Sequence, residues 1–328
     1  MKVLVTGATG FTGGHLARYL TSSGCAVAAL VRPASLARTN ELRTAGVEIR
    51  EGDLTDAASV RRAVEGCETV YHIAATYREA GLGDAAYVRI NVEGTRHVLA
   101  AALAAGGKRV VHCSTGGVHG HIDHPPADET APFAPGDVYQ RTKLEAERLA
   151  ADFGRRNRLE VVIVRPIGIY GPGDLRFLKM FRGIARGRFP ILGRGDVFYH
   201  LTYIDDLVRG FELAGTTPCA AGREYILGGP EYTTLNELVR LIADELGVAP
   251  PRLHFPIWPV WVAGALCEAV CVPLGIEPPL FRRRVDFFRK SRAFNIGRAR
   301  EELGYNPAID LKTGIKRTAA WYRSRGLL

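Results

Sequence analysis

A glycine loop closes the first apolar run of this chain, and it constrains the fold more than any other feature. VTGATGFTGGHL places Gly7, Gly10 and Gly13 in the spacing G-x-x-G-x-x-G, with Thr9 and Phe11 between them. The run KVLVT (2–6) precedes the loop, and Leu16, Tyr19 and Leu20 follow at helical spacing. Glycines in such a turn let the backbone bend tightly and approach a pyrophosphate seated on the helix N-terminus. A glycine triplet alone is a weak signal. Here it sits in a full strand–loop–helix–strand setting, since AVAALV (26–31) follows, and that setting predicts a dinucleotide cradle.

The rest of the first half alternates in the same way. Strands are predicted at 47–54, 69–75, 109–115 and 160–166, and helices at 59–66, about 84–106 and from Tyr139 onward. The strands are β-branched and lack the alternation of a half-exposed sheet. They read as buried parallel strands with crossover helices on both faces, a Rossmann-type doubly wound α/β fold. After Pro166 the texture changes to short Gly- and Pro-rich elements, with helices at 203–214, 233–247, 297–305 and 311–325. The expected division is a dinucleotide-binding domain over 1–165, with elements returning to it near 201–228, and a smaller, mainly substrate-binding domain over 166–328.

Apolar residues make up 47% of the 328 residues, enough for a large core. The six cysteines show no C-x-x-C, which suits reduced thiols in a cytoplasmic setting, and no export signal is read before the glycine loop. The net charge of +9 is mostly arginine spread along the chain, and no nucleic-acid-binding module accompanies it. His119, His121 and His124 form H-x-H-x-x-H in a loop without a completing carboxylate or cysteine pattern, so no metal is expected. Asp205 and Asp206 open a helix, where the dipole favours acids. The most apolar later stretch, 257–276, is expected to be a buried or pocket-covering helix. A membrane-surface element is the alternative, because the basic and aromatic run FRRRVDFFRKSR (281–292) lies next to it.

The end of the second strand should choose the cofactor. An acid there accepts the ribose 2′-hydroxyl, whereas an arginine takes a 2′-phosphate. This chain has Val31-Arg32, with Arg38 beyond. NADP is therefore favoured and NAD remains possible. Asp53 and Leu54 are placed at the adenine edge, and Ala74 and Ala75 let the fourth strand end close to the adenosine ribose.

Ser114 and Thr115 end the fifth strand, and DVYQRTKLEAE (137–147) puts Tyr139 four residues before Lys143. Tyr-x-x-x-Lys is weak by itself. Beyond the carboxyl ends of Rossmann strands it gains meaning, because ligands bind there. Tyrosine ionises near 10, too high for a base at neutrality. A lysine ammonium one turn away, together with oxidised nicotinamide, favours the phenolate. Tyr139 then exchanges the alcohol proton, Lys143 holds the nicotinamide ribose, and Thr115 or Ser114 bonds the substrate oxygen.

In order and spacing, Gly7–Gly13, Asp53, the 72–75 strand end, Asn91 in NVEGT, Ser114-Thr115 and Tyr139/Lys143 resemble the extended short-chain dehydrogenase/reductase superfamily. The resemblance implies catalytic roles for Thr115, Tyr139 and Lys143, with Ser114 as the substitute for Thr115. It implies a helix-kinking or proton-relay role for Asn91 and a cofactor contact at Pro166. It also implies a homodimer through helices 84–106 and 139–154. Two branches remain open. VRPIGIYGPGD has Pro166 and Gly168 where nucleotide-sugar epimerases and dehydratases carry an asparagine. Phe198, Tyr199 and His200 stand where those enzymes place a phosphate-binding arginine, although Arg194 lies just before. Both features, and the apolar C-terminal part, are similar to the 3β-hydroxysteroid dehydrogenase-like and dihydroflavonol reductase-like branch. The expected activity is hydride transfer between nicotinamide and a hydrophobic secondary alcohol or ketone. A non-enzymatic dinucleotide sensor is the minor alternative, and the retained Tyr/Lys pair weighs against it.

Overall fold

A computed structural model describes residues 1–77, 81–271, 274, 276 and 285–328. Seven parallel strands form the central sheet. They are β1 (Lys2–Thr6), β2 (Ala26–Val31), β3 (Glu48–Glu51), β4 (Thr69–His72), β5 (Arg109–Cys113), β6 (Glu160–Pro166) and β7 (Glu224–Leu227). Their order across the sheet is 3-2-1-4-5-6-7, so the chain winds outward from β1 in both directions. The last strand comes from the second half of the sequence.

The period-two alternation of strand side chains feeds two cores. Val3, Val5, Tyr71, Val111 and Val162 pack with α1 (Phe11–Ser22) on one side of the sheet. Leu4, Val70, Val110 and Ile163 pack on the other side with α2 (Ala57–Val64) and α3 (Gly94–Ala104). Both faces are covered, which is why the strands read as unbroken apolar runs.

Three predicted strands are shorter than expected, the fifth ending at Cys113. In the third and fourth, only 48–51 and 69–72 make ladder bonds, so Asp53, Leu54, Ala74 and Ala75 lie on the loops beyond the strand ends. The helix expected over 84–106 is not uniform. A π-helical segment, Val88–Glu93, interrupts it and contains Asn91. The extra residue per turn re-aims Asn91 inward, where its amide reaches two other elements.

The tyrosine-bearing helix, α4 (Val138–Arg156), starts where Asp137 accepts a hydrogen bond from the Gln140 amide at 2.8 Å. Tyr139, Lys143 and Glu147 then repeat every four residues and share one stripe. Glu147 is buried. It meets Arg165 of β6 at 2.7 Å and accepts the Ser114 hydroxyl at 2.5 Å. Arg165 also donates to the Glu129 carbonyl at 3.0 Å, and the Glu129 carboxylate accepts the Ile226 amide of β7 at 2.9 Å. This network ties α4 to β5, β6 and β7.

The 257–276 stretch departs from expectation. It forms α5 (Ile257–Cys271), yet only Gly264 is buried. Trp258, Val262, Leu266 and Val270 are exposed. The helix does not line the large cavity described below; Phe287, Phe288 and Phe294 do. Residues 272, 273 and 275 of that stretch, and 281–284 of the adjacent basic run, lie outside the described residues. No helix among the described residues is long and apolar enough to cross a membrane.

Replacing Glu147 with alanine leaves the Arg165 guanidinium buried without its carboxylate. We expect a loss of about 3–5 kcal/mol, read as a lowered urea midpoint. A loss below about 1 kcal/mol contradicts this account of the network.

Candidate active site

At the carboxyl edge of the sheet lies a cavity of about 1110 Å³. It runs from the glycine loop to the aromatic residues near 287–294. β1 delivers its chain to this edge and Gly7 turns it, with φ +74°. A Cβ at Gly7 would stand 2.8 Å from the Ala74 backbone, and one at Gly13 would stand 2.3 Å from the Gly7 carbonyl oxygen. Only glycine fits either place. α1 begins next with no side-chain cap and no acid in its first turn, whereas Asp56, Asp137, Thr234 and Asp310 cap other helices. Its first amides are left facing the cavity, where the dipole favours an anion. The cradle fits a dinucleotide pyrophosphate.

Thr9, Phe11, Arg32, Asp53, Leu54, Ala74, Ala75 and Pro166 all line the same cavity. Arg38 lines it too and donates to the Thr9 carbonyl at 2.8 Å. Arg32 and Arg38 are exposed, and neither pairs with a carboxylate among the described residues.

The fifth strand end separates two neighbouring hydroxyls. Ser114 lines the cavity but its proton goes to Glu147. Thr115 accepts the Gly117 amide at 3.1 Å, capping a short helical turn. Its own proton has no acceptor among the described residues, and it faces the cavity. The structure therefore distinguishes Thr115, which the sequence favoured, from Ser114, its substitute.

Tyr139 is half-buried, opens to the cavity and meets Tyr77 edge-on at 4.8 Å between ring centroids. Burial raises its pKa well above the usual phenol value. Lys143 lies one turn deeper, 2% exposed, and burial lowers its pKa. It does not line the cavity directly. Asn91 accepts the Thr76 amide at 2.8 Å and donates to Thr142 Oγ1 at 3.0 Å and to the Thr76 carbonyl at 3.3 Å. Both amide protons are used, and the contacts fix the loop after β4 to the turn between Tyr139 and Lys143.

Sequence reasoning missed the layer beneath. His72 is buried, with Nε2 3.0 Å from Thr95 Oγ1 and Nδ1 2.9 Å from Thr6 Oγ1. Thr95 spends its proton on the Asn91 carbonyl at 2.6 Å, so it accepts from His72 Nε2–H. His72 Nδ1 therefore accepts the Thr6 hydroxyl, which itself accepts the Ala74 amide at 3.1 Å. The imidazole is neutral in this arrangement, and burial holds its pKa down to about 3. The ring of His112 lies 5.4 Å from it and is also fully buried, with its pKa pushed well below the usual value by burial. Glu147 was also missed. The available signal was an acid continuing the Tyr139–Lys143 stripe at the same four-residue spacing.

Phe177, Met180, Phe189, Phe287, Phe288 and Phe294 give the cavity an aromatic and aliphatic surface, with Arg176, Lys179 and Arg292 among them. Tyr199 donates to the Phe287 carbonyl and fastens that segment.

With this geometry in hand, the chain was compared with known proteins. Residues 3–228 match the model of the NAD dependent epimerase/dehydratase family. The chain is 30% identical over 347 residues to 3beta-hydroxysteroid-dehydrogenase/decarboxylase isoform 1 of Arabidopsis thaliana, covering 96% of this chain and 78% of that protein. It is 33% identical over 343 residues to sterol demethylase protein B of Methylococcus capsulatus, with 100% of both covered. The crystal structure of gox2253 superposes with a TM-score of 0.84 at 31% identity, covering 99% of each chain.

Two outcomes follow. Gly13→Val should abolish dinucleotide binding in calorimetry, because its side chain meets the Gly7 carbonyl; retained affinity contradicts the cradle. The buried histidines set an acid limit. Their folded pKa values lie below the unfolded value of about 6.5, so stability is full above that pH and falls as pH drops toward 3. For His72 the loss at pH 5 is about 2 kcal/mol. Melting temperature should fall between pH 6.5 and 5, and His72→Asn should flatten the slope.

Proposed function

We propose that this chain, which belongs to the NAD dependent epimerase/dehydratase family, is an oxidoreductase acting on a secondary alcohol or ketone of an apolar, sterol-like substrate. The observation that carries this reading is that Thr115 and Tyr139 line the same cavity as Phe177, Met180, Phe189, Phe287, Phe288 and Phe294. The names of the two relatives, a hydroxysteroid dehydrogenase/decarboxylase and a sterol demethylase protein, agree with an apolar substrate body.

The dinucleotide, when bound, supplies the nicotinamide C4 that gives or takes hydride. The protein does the rest. The glycine loop and the α1 N-terminus seat the pyrophosphate, and Pro166 with the 74–75 loop borders the groove. Thr115 O–H donates to the substrate oxygen and orients it. Tyr139 passes a proton to that oxygen during reduction and takes it back during oxidation. Burial keeps the phenol protonated, which suits donation. The Arg176 guanidinium opposes this and draws the phenol pKa down, while Lys143 lies one turn below. Asn91 holds that turn in place. The aromatic wall excludes water from the reacting carbon.

Arg32 and Arg38 extend the reading to NADP. Both cations follow β2, whose end carries no acid to claim a ribose 2′-hydroxyl. A dimer through the helices over 84–104 and α4 is part of the same reading, and sedimentation at micromolar concentration tests it.

Tyr139→Phe should lower kcat about 10²- to 10⁴-fold while NADPH still binds. Unchanged turnover removes Tyr139 from the chemistry. With the parent enzyme and a 3β-hydroxysteroid, NADPH should form in proportion to ketone. Isomerised product without net cofactor change assigns the chain to the epimerases instead. Arg32→Ala with Arg38→Ala should weaken NADP about 10- to 100-fold and leave NAD little changed.

A further inference from the structure

α5 is apolar on every side. Of the 15 residues in IWPVWVAGALCEAVC, only Glu268 carries charge. A helix of this kind belongs in a protein core or in lipid. Here the core takes only Gly264. Trp258 (71%), Leu266 (63%) and Val270 (61%) are exposed together with Val262, at spacings of four that set them on one outward stripe. Leu253, Phe255, Leu274 and Ile276 extend the exposed apolar surface beyond both ends of the helix.

The segment is fastened to the body. His254–Phe255 pairs with Ile191–Leu192, and a Cβ on Gly193 would touch Ile257 at 2.6 Å. On the body side the Arg289 guanidinium lies over the Trp261 ring at 5.8 Å. Arg289 directly follows Phe287 and Phe288 of the cavity wall. The apolar stripe therefore sits beside the substrate end of the cavity.

We propose that α5 is a membrane-surface anchor that lies flat in the headgroup region of an anionic lipid bilayer. Three features select lipid. At 1.5 Å per residue the helix is about 22 Å long, short of the roughly 30 Å hydrocarbon core, so it lies on the bilayer without crossing it. Trp258, at one end of the stripe, is a residue type favoured at the interface. Arg252 is exposed on the segment before the helix, and the whole chain carries +9, which complements an anionic leaflet. The proposal does not depend on the substrate reading, although an apolar substrate dissolved in the bilayer would reach the cavity mouth directly.

Flotation of the full chain tests it, using vesicles of phosphatidylcholine with and without phosphatidylglycerol. We expect the chain to float with the anionic vesicles, less so in high salt, with a blue shift of tryptophan emission. L266E/V270E should lose at least about tenfold in partitioning while keeping the parent's melting temperature and dinucleotide affinity. Failure of the parent to float overturns the proposal, as does a double variant that floats equally well. If the parent instead self-associates without lipid and the double variant does not, the stripe belongs to a second copy of the chain and the proposal falls. Loss of activity in Tyr139→Phe bears only on the chemistry and leaves this outcome untouched.

Discussion

The buried Glu147–Arg165 pair is the interaction on which the site rests. Each side chain is 5% exposed, so both ions are stripped of water. That cost is met only because every member finds further partners: the Ser114 hydroxyl on Glu147, and the Glu129 carbonyl on Arg165. A partly satisfied network of this kind is worse than an apolar core. The geometry is correspondingly strict. It sets the height of α4 on the sheet, and with it the depth of Tyr139 and Lys143. It also occupies the first of two adjacent hydroxyls, so that Thr115 alone presents a proton to the cavity.

A second polar layer does similar work at the other side of the groove. The Thr6–His72–Thr95 chain joins β1, β4 and the helix after the π segment. Its directionality is fixed, because each hydroxyl has one proton and one stated destination. The same Thr6 oxygen steadies the Ala74 amide against which Gly7 packs. The phosphate loop and the loop after β4 are thus held at a constant separation, which is the width of the dinucleotide groove.

Much of this was legible in the sequence. The glycine loop, the strand–helix alternation and the Tyr139–Lys143 spacing are local patterns, and local patterns survive in one dimension. Strand ends were misjudged at 52–54, 73–75 and 114–115; at 73–75 the reason is that apolar composition continues past the last ladder bond. The π segment left no compositional trace; only the helix-kinking role that the resemblance gave Asn91 pointed to it. Thr115 was preferred over Ser114 by resemblance alone, because the partner that separates them, Glu147, is 33 residues from Ser114. The 257–276 stretch was expected to be buried or to cover the pocket, ahead of a membrane-surface element, because apolar sequence usually is covered. What decides its place is how much body surface remains to cover it, a three-dimensional quantity.

The stripe formed by Tyr139, Lys143 and Glu147 has a consequence for how such a scaffold can diversify. Its three rungs run from cavity to core on one rigid helix, so drift at any rung is felt both by the chemistry and by the stability of the sheet. The reaction is thereby insulated from change. The aromatic wall over 177–189 and 287–294 carries no such obligation, because its residues bury no charge. On the proposed reading, changes in that wall would alter the surface offered to substrate while the Tyr139–Lys143–Glu147 column keeps its place on the sheet.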